Sequence, residues 1–376
     1  MVRFLHTSDW HLGMTRHFLS EGVQERFTQS RFDAIRELGR IAESEDCEFV
    51  VVSGDIFDSN LVDRKTVSRA LEALKDVSVP VYLLPGNHDP LNAASVYKST
   101  TFLDRKPDHV NVIMDTTPIN FSGNVEIIGI PWTSKRPLQD LVALATRELE
   151  PANDKVRICV AHGMLDKLSP NPDDPALVSS DMAESAISQN KIHYLALGDR
   201  HSVTEVGESG SVWYSGSPEP TDYNEVESGF AMVTTIHDGR TTSKKVEVGK
   251  WKFIQRRQVD LNNKEDIDAL SKWFENVEDK ERTIVKLYFV GTLSLTLHGK
   301  LEELLYHYME IFAAIETRLN GLFILPDDAD FSDMGFSGFA LSTVERLRSD
   351  IDESDTGSSR SSDALALLVR LARSDI

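Results

Sequence analysis

Asp9 and His11, in HTSDWHLG, stand two residues apart directly after a short apolar run near the start of the chain. A carboxylate and an imidazole at that spacing can ligate a divalent cation, but a loop-capping aspartate beside a surface histidine would look the same. The pattern then recurs. FVVVSGDIFDSN delivers Asp55 after a glycine, VYLLPGNHDP delivers Asn87 and His88, ICVAHG delivers His162, and YLALGDRHS delivers Asp199 and His201. Packing asks for apolar residues at strand ends, so five such ends carrying Asp, Asn or His beside Gly or Ala call for another explanation. A mixed oxygen and nitrogen donor set converging from several strands is what a pair of divalent cations needs to activate water.

Positioning those residues requires strands that end together. Short β-branched runs alternate with amphipathic stretches over the first two-thirds of the chain, which predicts an α/β domain with mostly buried strands. Strands are expected at Arg3 to His6, Phe49 to Val52, Val81 to Leu84, Val110 to Met114, Ile127 to Ile130, Arg157 to Ala161, Ile192 to Leu197 and Val212 to Tyr214. Helices are expected from about Gln24 to Ser44 and from about Lys65 to Lys75, where apolar residues recur every three to four positions. From Trp251 to Pro326 the order changes to strand, helix, strand, helix, strand, a small α+β domain. An acidic linker, Pro326 to Asp333, leads to two short apolar-rich helices, Phe339 to Ser349 and Ser362 to Arg373, joined by a Ser- and Asp-rich connector. The expected domains are thus 1–245, 246–326 and 327–376.

The 376 residues carry 60 acids against 40 bases, a net charge of −20, which opposes non-specific adhesion to nucleic acid or anionic lipid over most of the surface. No apolar run is long enough to span a membrane, and the first residues lack the layout of a secretory signal, so a cytoplasmic protein without membrane contact is expected. Cys47 and Cys159, both in apolar surroundings, read as buried thiols rather than a disulfide.

DxH, GDxxD, GNHD, AHG and a closing GxxH, in that order over roughly the first 240 residues, resemble the calcineurin-like metallophosphoesterases. HTSDWHLG at the N-terminus, GDIFD followed by Ser59 rather than arginine, IPWTSKRP and YSGSP are similar to the SbcD-type DNA repair nucleases within that family. The resemblance implies a four-layer α/β/β/α sandwich with a small α+β capping domain and a C-terminal helical appendage. It further implies that Asp9, His11 and His201 hold one metal, that Asn87, His162 and Asp199 hold a second, and that Asp55 bridges both. His88 would act catalytically on a scissile phosphate oxygen, with Asp89 orienting its imidazole. Two cations about 3.5–4 Å apart would polarise the phosphodiester and activate water for in-line attack.

One position departs from the family pattern: GHxH is usual where this chain has Gly198, Asp199, Arg200 and His201. A carboxylate could still coordinate, shifting preference from zinc toward manganese or magnesium, or Arg200 could pair with it and withdraw it. Retained coordination is favoured because the other ligand positions are present, and manganese is the expected metal, with magnesium or another transition metal as alternatives.

Between Arg240 and Arg257 seven bases face one acid, a local inversion of charge; Lys244, Lys245, Lys250, Lys252, Arg256 and Arg257 are candidate DNA phosphate contacts, although lysines on a solvated edge strand would read alike. By resemblance, the C-terminal helices would dock on an SbcC-like, SMC-type ATPase, or fold back on the capping domain, and a homodimer is compatible with the sequence. The expected activity is a metal-dependent DNA exonuclease or endonuclease in DNA repair. A phosphodiesterase of cyclic nucleotides or other small phosphoesters shares nearly the same ligand set, and a weakly catalytic DNA-end or ATPase docking scaffold is the reading from a different class.

Overall fold

The computed structural model describes residues 1–325, 338–352, 361, 364, 365 and 368. The chain divides into two compact units, Met1–Trp251 and Lys252–Ile376. In chain order the first unit comprises β1 (Val2–Thr7), α1 (Glu21–Ser44), β2 (Val50–Val52), α2 (Arg64–Leu74), β3 (Val81–Leu83), α3 (Thr100–Arg105), β4 (Val110–Val112), β5 (Ile119–Ser122) and β6 (Val125–Ile130). It continues with α4 (Leu141–Arg147), β7 (Val156–His162), α5 (Ser180–Ser188), β8 (Tyr194–Gly198), β9 (Thr204–Val206), β10 (Val212–Tyr214), β11 (Phe230–His237) and β12 (Arg240–Glu247).

These strands form two six-stranded sheets, ordered β12-β11-β1-β2-β3-β4 and β5-β6-β7-β8-β10-β9. Strands β1 to β4 are mutually parallel, as are β6, β7, β8 and β10. Successive strand residues point to opposite faces, so each sheet supplies two cores. On one face of the first sheet Leu5, Val50, Val52 and Leu83 pack with Phe32, Ile35, Leu38 and Leu71 of α1 and α2. On its other face Phe4, Phe49, Val51 and Tyr82 meet Ile127, Ile158, Val160 and Tyr194 of the second sheet. The outer face of that sheet, Cys159, Ala161, Leu195 and Leu197, is covered by Val142, Ala183 and Ala186 of α4 and α5. Helix, sheet, sheet, helix is therefore the layer order. Both cysteines are free and buried, and burial pushes each thiol up to about 12.

The second unit runs β13 (Lys252–Leu261), α6 (Lys264–Asn276), β14 (Thr283–Leu293), α7 (Leu295–Met309) and β15 (Ala314–Ile324), with three parallel strands in chain order. Each crossover helix starts on a side-chain cap: Asn263 accepts from the Asp266 amide and Ser294 from the Leu297 amide. Val285, Leu287 and Phe289 pack with Phe274 and Leu301. A further helix, α8 (Phe339–Asp352), places Val344 and Leu347 with Leu295, Leu365 and Leu368. The acidic linker 326–333 and most of the second C-terminal helix expected at 362–373 lie outside the described residues. Among the described residues no helix is long and apolar enough to cross a membrane.

Candidate metal centre

The expected ligands sit at the carboxyl ends of adjacent parallel strands, where side chains from successive βα loops converge. Asp9 and His11 follow β1, Asp55 follows β2, Asn87 and His88 follow β3, His162 ends β7, and Asp199 and His201 follow β8. The two sheets nearly touch here: a Cβ on Gly198 would lie 1.9 Å from the Ser53 carbonyl oxygen, so only glycine permits the approach. Asp9, His11, Asp55 and Asp199 all hold positive φ, at 54°, 45°, 53° and 95°. Such backbone costs on the order of 1 kcal/mol or more per residue and persists only where neighbours enforce it. Here the Asp9 amide donates to the Gly54 carbonyl at 3.1 Å, the His11 amide to the Asp55 carbonyl at 3.0 Å, and the Asp199 amide to Asp9 Oδ1 at 3.1 Å.

Each of the three central imidazoles is anchored through Nδ1 and turns Nε2 inward. His11 Nδ1 meets Asp58 Oδ1 at 3.2 Å, His162 Nδ1 meets the Ser53 carbonyl at 2.8 Å, and His201 Nδ1 meets Glu225 Oε1 at 2.8 Å. With Nδ1 donating to oxygen, each Nε2 is left as a lone pair. His11 Nε2 and His201 Nε2 nevertheless stand 3.1 Å apart, and the amide terminus of Asn87 lies 2.8 Å from His162 Nε2 and 2.9 and 3.1 Å from the two Asp55 oxygens. Lone pairs gathered this closely repel unless a proton or cation lies among them. Donor atoms of Asp9, His11 and His201, and separately of Asp9, Asp55 and His162, fall within 4.8 Å of one another. The set therefore fits divalent cations with nitrogen and oxygen preference.

Electrostatics agree with that fit. Burial would drive the proton from His162, yet Asp55, Asp199 and Asp9 hold its imidazole well above the ordinary range. Burial likewise opposes a proton on His201, but the Glu225 hydrogen bond and the charge of Asp9 push it up to about 9. Burial alone would raise the Asp55 carboxyl; the imidazoles of His162, His11 and His88 outweigh it and hold it below the carboxylate range. Burial raises Asp199, reinforced by Asp9 and Asp55. Protons here occupy the place of cations and would be released on metal binding.

Asp199 comes to 3.7 Å from His162 Nε2 through Oδ1, its side chain 24 % exposed. It forms no ion pair with Arg200, whose Nε donates instead to Thr204 Oγ1 at 2.8 Å. His88 is 43 % exposed at the rim. One expectation needs correction: Asp89 does not orient the His88 imidazole. Its fully buried carboxylate accepts from the Phe57 and Gly86 amides at 2.9 and 2.8 Å and from the Tyr97 hydroxyl at 2.5 Å, while His88 Nδ1 is held by the Asp58 carbonyl at 2.9 Å. Burial and the charge of Asp55 push Asp89 up to about 6. Of the candidate DNA contacts, Lys244 pairs with Glu45 at 2.6 Å and Lys245 with Glu227 at 2.8 Å on edge strand β12, and Arg256 stacks over Trp273 at 5.0 Å in the second unit. Lys250 lies just after β12, and Lys252 and Arg257 lie on β13.

Residues 2–227 match the family described as calcineurin-like phosphoesterase. The chain belongs to that family. Among curated relatives it is 30 % identical to the DNA double-strand break repair protein Mre11 of Saccharolobus solfataricus over 35 % of this chain and 33 % of that protein. It is 29 % identical to the D subunit of nuclease SbcCD of Bacillus subtilis over 35 % and 28 %. It is 24 % identical to the Mre11 protein of Archaeoglobus fulgidus over 94 % and 82 %. The matched region spans only about a third or less of the first two relatives.

A calcineurin-like phosphoesterase is a phosphoester hydrolase that works with divalent metals, and this phosphoesterase carries donor groups suited to them. Its least legible part is Glu225, which lies 24 residues beyond His201 in a loop with no motif of its own. Thr221 fixes it, donating its amide to Glu225 Oε2 at 2.9 Å. In this phosphoesterase Glu225→Ala is expected to weaken metal binding by about 10- to 100-fold, the usual consequence of removing the carboxylate that orients a candidate ligand histidine. Titrating manganese into chelator-treated protein by calorimetry checks this; an unchanged affinity would exclude Glu225 from the site.

Proposed function

We propose that this phosphoesterase is a metal-dependent nuclease that hydrolyses DNA phosphodiester bonds in DNA repair. The observation that carries the reading is the position of Asp55: its Oδ2 lies 3.9 Å from His11 Nε2 and 3.4 Å from His162 Nε2, so one carboxylate faces two sets of donors. Asp9, His11 and His201 with Asp55 would hold one cation; Asn87, His162 and Asp199 with Asp55 would hold the other. When bound, such a pair supplies Lewis acidity and lowers the pKa of water. His88 does the proton work. The Asp58 carbonyl can only accept, so His88 Nδ1 carries hydrogen, and Nε2 donates to a phosphate oxygen or a leaving oxygen only as the imidazolium.

The DNA substrate is supported by the names of relatives that repair double-strand breaks or belong to the SbcCD nuclease. Lys244, Lys245, Lys250, Lys252, Arg256 and Arg257 are the proposed phosphate contacts of the DNA. An SMC-like ATPase is the proposed partner, with Phe339, 88 % exposed, and Leu341 of α8 as apolar docking residues. Incubating the chain with labelled duplex, single-stranded DNA and a cyclic nucleotide, each with manganese and with chelator, tests the reading. Metal-dependent cutting of DNA is expected; cleavage of the cyclic nucleotide alone would overturn it.

Manganese is the proposed metal because Asp199 replaces an imidazole by a harder, anionic donor. Asp199→His is accordingly expected to raise the zinc-to-manganese ratio of protein loaded from an equimolar mixture, read by elemental analysis. An unchanged ratio would mean that Asp199 does not coordinate.

A further inference from the structure

We propose that Arg200 binds a phosphate flanking the scissile one, making the site selective for a polynucleotide strand over an ester with a single phosphate. This rests on the nuclease reading above. Arg200 lines the same open cavity, about 510 Å³, as His11, His88, Asp199 and His201. Its guanidinium is pinned at one edge, Nε to Thr204 Oγ1 at 2.8 Å, and among the described residues no carboxylate pairs with it although Asp199 precedes it in sequence. The two terminal amino groups are therefore a preset fork with no protein anion to fill it, the geometry that suits a phosphate. Of the two arginines lining the cavity, Arg16 is already tied to the Thr221 carbonyl through Nη2.

Charge explains why such a contact is needed. Two divalent cations would bring four positive charges, against five negative ones on Asp9, Asp55, Asp58, Asp199 and Glu225, so the centre has no surplus to attract a phosphodiester. Asp199 adds a negative charge where the family pattern has a neutral imidazole, and Arg200 returns it one residue later. Standing beyond ion-pair distance of the metal-binding carboxylates, the guanidinium addresses the neighbouring phosphate rather than the reacting one.

The test compares the full chain with Arg200→Met and Arg200→Lys. In a His88→Ala background with manganese, R200M is expected to weaken binding of a labelled single-stranded oligonucleotide about tenfold, by fluorescence anisotropy. The slope of log affinity against log salt should fall by about 0.7 for the lost contact. R200K, which keeps the charge but not the fork, should lie between. With His88 present, R200M should raise KM for the oligonucleotide about tenfold with kcat nearly unchanged, and leave bis(4-nitrophenyl) phosphate kinetics within about twofold. Equal losses on both substrates, or unaltered oligonucleotide binding, would overturn the assignment while leaving the nuclease reading intact. If the unsubstituted chain neither binds nor cuts the oligonucleotide, the nuclease reading falls and this inference falls with it.

Discussion

Replacing His88 by alanine is expected to lower turnover of a DNA phosphodiester by about 10²–10⁴-fold while bound metal stays at the level of the unsubstituted chain. The two halves of this result separate chemistry from assembly. Asp55 Oδ1 accepts from the His88 backbone amide at 2.9 Å, and an alanine keeps that amide, so the carboxylate proposed to bridge the metals remains supported. What disappears is an imidazole held by the Asp58 carbonyl and packed edge-on to His11, with ring centres 4.8 Å apart. Asp58 is its silent partner, giving a side-chain oxygen to His11 and a main-chain oxygen to His88, so one residue holds both the proposed ligand and the proposed acid. Single-turnover rates with saturating manganese, alongside metal content by elemental analysis, check both halves. Full activity in H88A would remove His88 from the mechanism, and lost metal would reassign it to the ligand set.

How much of this was readable in advance depends on whether a residue's role is local. Asp9, Asp55, Asn87, His162 and His201 each end or follow a short, largely buried strand, so an apolar run and a polar interruption mark them together, whereas the four-layer order was implied by the family resemblance and is carried in the structure by the alternation of Phe4, Leu5 or Phe49, Val50. Glu225 has no such mark, because its significance arises only when the chain has folded a loop back against His201. Asp89 misleads for the same reason: adjacency to His88 suggests a dyad, but strand β3 ends in a tight turn that points neighbouring side chains apart, and the carboxylate satisfies main-chain amides.

The β11–β12 hairpin shows a subtler limit. Asp238 and Gly239, at φ 48° and 73°, form the two-residue left-handed turn that suits a hairpin, so a local signal was present. Yet β12, RTTSKKVE, carries little apolar periodicity, because it is the outermost strand of its sheet and is largely exposed. Its register is set instead by β11, whose Ala231, Met232, Val233 and Ile236 are buried. Antiparallel pairing of β11 with β1 then fixes the strand that launches Asp9 and His11. Pattern reading sees buried strands well and edge strands poorly, and here an edge hairpin braces the site.

The most damaging single change is expected to be a methyl group on Gly54. That residue holds φ +96°, and an added Cβ would lie 2.0 Å from His162 Nδ1 and 2.5 Å from its Cγ. The imidazole cannot retreat, since its Nδ1 is bonded to the Ser53 carbonyl at 2.8 Å and its Nε2 faces Asn87 and Asp55. Gly54→Ala should therefore cost about 3 kcal/mol in chelator-treated protein, from overpacking of about 1–3 kcal/mol plus about 1 kcal/mol for a left-handed alanine. It should also abolish metal binding at the proposed centre, because Gly54 sits between Ser53, which anchors His162, and Asp55, which faces both His11 and His162, while its carbonyl holds the Asp9 amide. Gly299→Ala supplies the opposite sign by the same chemistry. Gly299 lies inside α7, and nothing stands within 4 Å of an added Cβ, so alanine there should stabilise by about 0.5–1 kcal/mol through helix propensity. Denaturant midpoints of the two variants, with metal content for G54A, decide the matter: a G54A protein that kept its stability and its metal would mean that the His162 imidazole is not confined as described.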